Sequence, residues 1–313
     1  MKVAFLFPGQ GSQKPGILNE LPGGNAVKEV LEAASETLNE NVYNHHSKES
    51  LCSTKSVQIS LLTAGIAGFK ALEAEGIMPN FVAGHSVGGF SAAVAAGVID
   101  FKDAINTVKL RAELMERAYH QGYGMGVVIG MASDTLQSLV SQYFDEEFPV
   151  FMSNKNAPDQ ITLSGALSGI NRILNVAKEN GARSASLLNV NTPSHCPLLS
   201  SVSQELGEAL DDIPFHRPLI PYVSNRGARL LFNPGDIRLD LAESISSPVQ
   251  WNDASIVLYE NGTRLFIEMP PGNVLSRLAA KGFPDARVMS ISENGYDDCL
   301  YIAKREINKG GLP

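Results

Sequence analysis

Three cysteines in 313 residues, Cys52, Cys196 and Cys299, are few, odd in number and without metal-ligand spacing. They exclude a disulfide framework and fit a reducing compartment. Basic side chains are in deficit, 25 Lys and Arg against 33 Asp and Glu, giving a formal net charge of −8. That balance argues against a phosphate backbone as the main partner, so an anionic substrate would need a local basic group. No apolar run is long enough to cross a bilayer. The apolar start, Met1 to Phe7, is too short for a signal segment and is stopped by Pro8-Gly9. There is no internal repeat and no low-complexity segment. These absences read as a soluble cytoplasmic protein. With 44% hydrophobic and 19% charged residues, it has enough apolar material for a sizeable core.

What is present is a Gly-x-Ser-x-Gly pentapeptide, Gly84-His85-Ser86-Val87-Gly88, between a strand-like run (Phe81-Val82-Ala83) and a small-residue helical stretch, 90–98. A serine on such a strand-to-helix turn has its hydroxyl pushed out of the fold. The next backbone N–H and the helix N-terminus then aim at any oxyanion formed there. The pattern predicts a nucleophile elbow and a serine-based acyl enzyme; the plainer alternative is a tight turn.

Around the elbow, 3–7 reads as a buried strand entering the loop Pro8-Gly9-Gln10-Gly11-Ser12. Helices are predicted over 26–38, 56–76 and 101–119, the last capped by Asp100. Residues 126–189 have a separate logic. Strand-like 126–131, a helix capped by Asp134 through Tyr143, strands 150–153 and 160–164, a helix 169–180 ended by Gly181, and strand-like 185–190 give β-α-β-β-α-β, the ferredoxin-like order. The block is expected to be an insert, 126–189, in a larger α/β subdomain made of 1–125 and 190–313. A helix 198–210, strand 222–224, another helix, strand 264–268 and a helix after Pro270-Pro271-Gly272 complete the chain.

Serine needs an adjacent base. Of six histidines, His45 and His46 read as surface residues in a polar stretch, and His120 closes a helix, where a cation suits the dipole. His216 sits in a proline-flanked connector. His85 adjoins the serine but should diverge from it. His195 lies in a rigid loop, Pro193-Ser194-His195-Cys196-Pro197, just after the insert, and is the candidate base; a hydrogen-bonded loop histidine is the alternative. No acidic residue announces itself as its orienting partner, so a carbonyl or amide could serve. On helix 101–119, Arg111 falls in the middle of the apolar face, flanked by Val108 and Met115. A buried guanidinium must meet an anion, either an internal carboxylate or a substrate carboxylate held by two hydrogen bonds. The Gly9-Gln10-Gly11 loop is either a second oxyanion donor or a simple glycine turn.

These pieces together resemble the malonyl-CoA:acyl-carrier-protein transacylase family. Phe7-Pro8-Gly9-Gln10-Gly11-Ser12-Gln13, the Ser86 pentapeptide, Arg111, Asn156-Ala157-Pro158, Pro193-Ser194-His195-Cys196 and Pro248-Val249-Gln250-Trp251 stand in the family's order. The resemblance implies an α/β-hydrolase-like large subdomain with a parallel sheet and a ferredoxin-like insert. It implies Ser86 as acyl-accepting nucleophile, His195 as base, and Gln10 and Val87 at the oxyanion hole. It further implies Arg111 on the malonyl carboxylate and the Gln250 main chain orienting the histidine. His85, Met115 and Asn156 would line the pocket. No bound cofactor or metal is expected; malonyl-CoA would be the donor and a phosphopantetheine-type thiol on an acyl carrier protein the acceptor. Within the family the chain is most similar to malonate decarboxylase epsilon subunits. That likeness rests on Ser53-Thr54-Lys55-Ser56-Val57-Gln58, Gly122-Tyr123-Gly124-Met125, Val223-Ser224-Asn225-Arg226-Gly227 and Glu268-Met269-Pro270-Pro271-Gly272, and on Gly89 where fatty-acid transacylases usually carry Glu. It implies the decarboxylase carrier subunit, with its dephospho-CoA-type thiol, as acceptor and other decarboxylase subunits as partners. The alternatives are a fatty-acid-synthesis transacylase, a serine esterase or thioesterase, and a binding subunit without activity.

Overall fold

The computed structural model describes residues 1–119 and 121–309; the helix-closing role expected of His120 lies outside them. The chain begins with β1 (Lys2–Phe7), α1 (Asn25–Leu38), α2 (Thr54–Ala74), β2 (Phe81–Gly84), α3 (Gly88–Ala95) and α4 (Phe101–Ala118). It continues with β3 (Tyr123–Ile129), α5 (Ser133–Gln142), β4 (Val150–Ala157), β5 (Gln160–Ala166), α6 (Leu167–Glu179) and β6 (Ser184–Leu187). The last third holds α7 (Ser200–Asp211), β7 (Tyr222–Val223), β8 (Leu230–Leu231), α8 (Pro234–Glu243) and α9 (Trp251–Glu260). Then come β9 (Thr263–Glu268), α10 (Val274–Gly282), β10 (Arg287–Ser290), α11 (Ile291–Asn294) and α12 (Tyr296–Lys309).

The larger sheet has the order β10-β9-β1-β2-β7-β8 and is parallel except for the β7–β8 edge pair. Its central strand β1 is apolar at every position from Val3 to Phe7 because helices cover both faces. Val3, Phe5 and Phe7 pack with residues of α1, α2 and α3, whereas Ala4 and Leu6 pack with Trp251, Leu258 and Leu275. The loops after β1 and β2 therefore emerge side by side at the carboxyl edge of the sheet, where open α/β sheets hold their ligands.

Residues 123–187 form the second sheet, in the order β4-β5-β3-β6, antiparallel throughout. This is the ferredoxin-like arrangement expected from the element order. Along β3 the side chains alternate. Gly126 and Val128 face the helices, and a Cβ on Gly126 would come within 2.9 Å of Ile170. Met125, Val127 and Ile129 face the other way, into a cavity between the two sheets. A backbone bridge joins the smaller sheet to the segment before α9: Val249 N donates to Ser153 O at 2.8 Å and Lys155 N donates to Val249 O at 2.9 Å. Among the described residues no helix is long and apolar enough to cross a membrane.

Several local expectations are corrected. Asp134 is in the first turn of α5 while Ala132 takes the cap position. Asp100 does occupy the cap of α4, though its side chain makes no capping bond. β3 begins at Tyr123 instead of Gly126, and β6 ends at Leu187, although Leu188 N still donates to Met125 O at 2.9 Å, and Leu188 and Val190 line the cavity. His45 and His46 are buried, not on the surface. His45 Nδ1 meets Ser56 Oγ at 3.0 Å, and His46 Nδ1 accepts from Leu18 N at 3.2 Å.

Candidate active site

The turn after β2 is held by glycines for which no side chain fits. A Cβ on Gly84 would lie 2.0 Å from the Gly88 carbonyl oxygen, and one on Gly88 would lie 2.2 Å from that of Phe7. Ser86 at the apex has φ +56°, a left-handed conformation that a non-glycine residue holds only when its surroundings enforce it. His195 shares this feature, with φ +62°. Its loop is fixed by His195 N donating to Ile245 O at 2.8 Å and Ser164 Oγ donating to Ser194 O at 2.6 Å.

The two side chains meet. Ser86 Oγ lies 2.7 Å from His195 Nε2, and His195 Nδ1 lies 2.5 Å from the carbonyl oxygen of Ser244. A carbonyl only accepts, so Nδ1 carries the proton and Nε2 presents its lone pair to the serine hydroxyl. Burial, then the nearby Arg111 charge, pushes the His195 pKa down to about 3. The ring is neutral at physiological pH, the state that can take the hydroxyl proton. The expected orienting residue, Gln250, is not at the ring. Its N–H donates to Asn225 O at 2.8 Å, and the carbonyl on the histidine belongs to Ser244, directly after α8.

Arg111 is 1% exposed on the buried face of α4. Its Nη1 donates to Gln58 Oε1 at 2.7 Å and contacts Met115 Sδ at 3.3 Å, while Nε and Nη2 have no partner. Among the described residues no carboxylate pairs with it, so the internal salt bridge weighed from sequence is not formed. Burial pushes its pKa down to about 10, which leaves the cation intact at neutral pH. Gln58 Nε2 in turn reaches Gln10 Oε1 at 3.3 Å, so one amide ties the guanidinium to the loop after β1.

A cavity of about 290 Å³ opens over the Ser86–His195 pair, lined by Gln10, Gly11, His85, Ser86, Asn156 and His195 on its polar side; Arg111 lies behind this lining and is tied to it through Gln58 and Gln10. Met125, Val127, Ile129, Leu188, Leu275 and Leu278 form its apolar wall. His85 points away from the serine, with Nε2 3.0 Å from Asn156 Oδ1 and its ring edge-on to Trp251. Met115 is not among the lining residues; it backs Arg111. The Val87 N–H stands at the head of α3 beside Ser86. Sequence reasoning missed Ser244, Gln58, Asn225 and Asp240. Ser244 acts through its main chain, which no side-chain pattern reveals. Gln58 shares α2 with an almost wholly apolar surface, where a polar residue near the start of a buried helix was the available signal.

A buried serine–histidine pair at the carboxyl edge of a parallel sheet, under a cleft closed by a second sheet, is the equipment of a serine-dependent acyl enzyme. Residues 4–296 match the acyl transferase domain family. The chain is 37% identical to the malonyl CoA-acyl carrier protein transacylase of Bacillus subtilis over 297 residues, 93% of this chain and 94% of that one. It is 33% identical to the Escherichia coli protein of the same name over 286 residues, 90% and 92% of the two chains. The crystal structure of FabD from Acinetobacter baumannii superposes with a TM-score of 0.91 at 33% identity, covering 97% of this chain and 99% of that one. The chain therefore belongs to the malonyl CoA-acyl carrier protein transacylase family.

Proposed function

We propose that this enzyme moves a malonyl group from malonyl-CoA, through an ester on Ser86, to the thiol of an acyl carrier protein. The observation that carries the reading is the buried Arg111 guanidinium, with two unpartnered nitrogens, linked through Gln58 to Gln10, which lines the same cavity as Ser86 and His195. A serine esterase for neutral lipids has no use for that cation.

In this mechanism His195 Nε2 takes the Ser86 proton as Oγ attacks the thioester carbonyl. The N–H groups of Gln10 and Val87 stabilise the oxyanion. The intermediate collapses, the carbon–sulfur bond breaks, and His195 returns the proton to the departing CoA sulfur. The malonyl ester keeps its carboxylate on Arg111. The carrier thiol, deprotonated by His195, attacks the ester, and Ser86 leaves with the proton. The carbonyl of Ser244 holds the imidazole throughout, in place of the acid of a triad. Residues 126–189 act as a subdomain set into 1–125 and 190–313, and the enzyme works in the cytoplasm.

For the acceptor, the relatives favour an acyl carrier protein of the fatty-acid or polyketide kind. One solved relative, at 31% identity and TM-score 0.91, is a malonyl-transacylase in complex with a type II PKS acyl-carrier protein. The malonate decarboxylase carrier is the second reading. It is favoured by Gly89, where a Cβ would lie 3.0 Å from both Asn225 Nδ2 and Tyr222 Oη, so a larger side chain there would have to displace these two groups.

Intact mass after incubation with malonyl-CoA tests the covalent step. The expected result is a single malonyl adduct that is absent in Ser86→Ala and is discharged by the true carrier. A Ser86→Ala protein that still gained the full adduct would refute the assignment, and discharge by each carrier in turn decides the acceptor.

A further inference from the structure

We infer that Asp240 and Asn225 form a buried positioning unit that locks the backbone of Ser86 to the same helix that orients His195. The inference rests on Ser86 being the nucleophile.

Helix α8 presents two groups one turn apart. At its end, the Ser244 carbonyl accepts from His195 Nδ1. Four residues earlier, the Asp240 carboxylate is 2% exposed and takes four donors. Oδ1 accepts from Ser224 Oγ at 2.5 Å and from Arg226 N at 3.2 Å. Oδ2 accepts from Asn225 N at 3.0 Å and from Tyr222 Oη at 3.1 Å. Two donors on each oxygen match the acceptor capacity of a carboxylate, and these bonds oppose the burial that pushes its pKa above the ordinary aspartate value. The segment after β7 is thereby wrapped around one side chain. Its central residue, Asn225, is 3% exposed, and its Oδ1 accepts from Ser86 N at 3.0 Å, across 139 residues of sequence. Asn225 O also accepts from Gln250 N at 2.8 Å, fastening the start of α9.

Ser86 needs such a hold. Its left-handed φ is an unfavourable state for a residue with a Cβ. Its N–H precedes α3 and finds its acceptor in the Asn225 amide. Both ends of the 2.7 Å Ser86–His195 bond thus refer to α8, one through Ser244 and one through Asp240 and Asn225. A shift in either would misalign hydroxyl and imidazole together.

The test uses Asn225→Ala and the near-isosteric Asp240→Asn in the full chain. Ser86 is labelled by a fluorophosphonate, and malonyl transfer is followed in parallel. Asn225→Ala is expected to lower both the labelling rate and kcat about 100-fold, the scale of a misplaced reacting group. Asp240→Asn, which loses two of four acceptor contacts, is expected to lower them about tenfold. KM for malonyl-CoA should stay within about twofold, because neither residue faces the carboxylate site. The pH midpoint of labelling should not move, because His195 keeps Ser244. Labelling at the wild-type rate in folded variants, a change confined to KM, or a shifted midpoint would overturn the inference while leaving Ser86 as nucleophile. A wild-type protein that the reagent leaves unlabelled at Ser86 would overturn the nucleophile reading and this inference with it.

Discussion

Arg111 and His195 are both buried cations or potential cations, and their electrostatics separate their roles. Arg111 stays charged because even a pKa near 10 is far above neutrality, while His195, at about 3, stays neutral. Removal of the guanidinium should therefore cost a substrate that carries a carboxylate much more than one that does not. Arg111→Ala is expected to lower kcat/KM for malonyl-CoA about 100-fold and for acetyl-CoA by less than about threefold, the difference being a charged hydrogen-bonded pair. Equal losses on the two thioesters would give Arg111 a structural role. The neutral histidine has a second consequence. Acylation should show no inflection near the ordinary histidine value of 6.5, so the rate should be flat between about pH 5 and pH 8. Stability should behave differently. The unfolded chain takes up protons below pH 6.5 that folded His195 refuses until about pH 3, so the native state loses stability as pH falls through that window. Melting temperature should drop on acidification from pH 6.5, and His195→Ala should flatten the slope. Ser86, His195 and Arg111 were legible because each breaks its local pattern: a serine between glycines, a histidine between prolines, an arginine on an apolar stripe. Asp240 was not legible, since an acidic residue among Arg238, Leu239 and Glu243 looks like an ordinary solvated helix position.

At the level of elements, the elbow depends on backbone contact between β2, α3 and the end of β1. Gly88→Ala would drive a methyl to 2.2 Å from the Phe7 carbonyl oxygen, in a strand paired on both edges and unable to retreat. The expected cost is about 3 kcal/mol or more, with loss of Ser86 labelling. Gly23→Ala, where nothing lies within 4 Å, is the matched control and should leave both unchanged. Denaturant midpoints compare the two directly. The same close approach explains why this region could be read from sequence: strand, glycines and small-residue helix are three adjacent signals that agree. The C-terminal third was harder. α8 carries a start signal, Asn233 followed by Pro234, and the Asn233 side chain does accept from Gly235 N and Asp236 N. Its weak apolar stripe, with Leu239 half exposed, hid it. β8 and β10 span two and four residues, too short for alternation to establish.

For the whole molecule the question is whether the two sheets fold as one unit. Each has its own apolar core: Ile161, Leu163, Ile170 and Leu174 lie in the smaller, and Phe5, Phe69, Leu62 and Phe90 in the larger. Yet the seam between them is made of backbone and buried polar bonds as well as side chains. It holds the two-way pairing of Val249 with Ser153 and Lys155, the Ser164–Ser194 bond, His85 on Asn156, and Lys281 on Asp159 at 2.7 Å. The Lys281–Asp159 pair is largely exposed and adds little. The others are buried bonds that parting of the sheets would exchange for bonds to water, at about 0.5–1.5 kcal/mol each. The serine lies on the large side of that seam and the histidine in the strap that crosses it, so separation of the sheets would also dismantle the site. The single tryptophan, Trp251, is 2% exposed beside His85, with α9 packed between β4 and β9, and so reports on the seam itself. In urea, Trp251 fluorescence and far-UV circular dichroism are expected to trace one coincident transition. A loss of ellipticity that ran ahead of the fluorescence change would mean that the smaller sheet melts alone, and that the cleft is a hinge instead of a rigid wall.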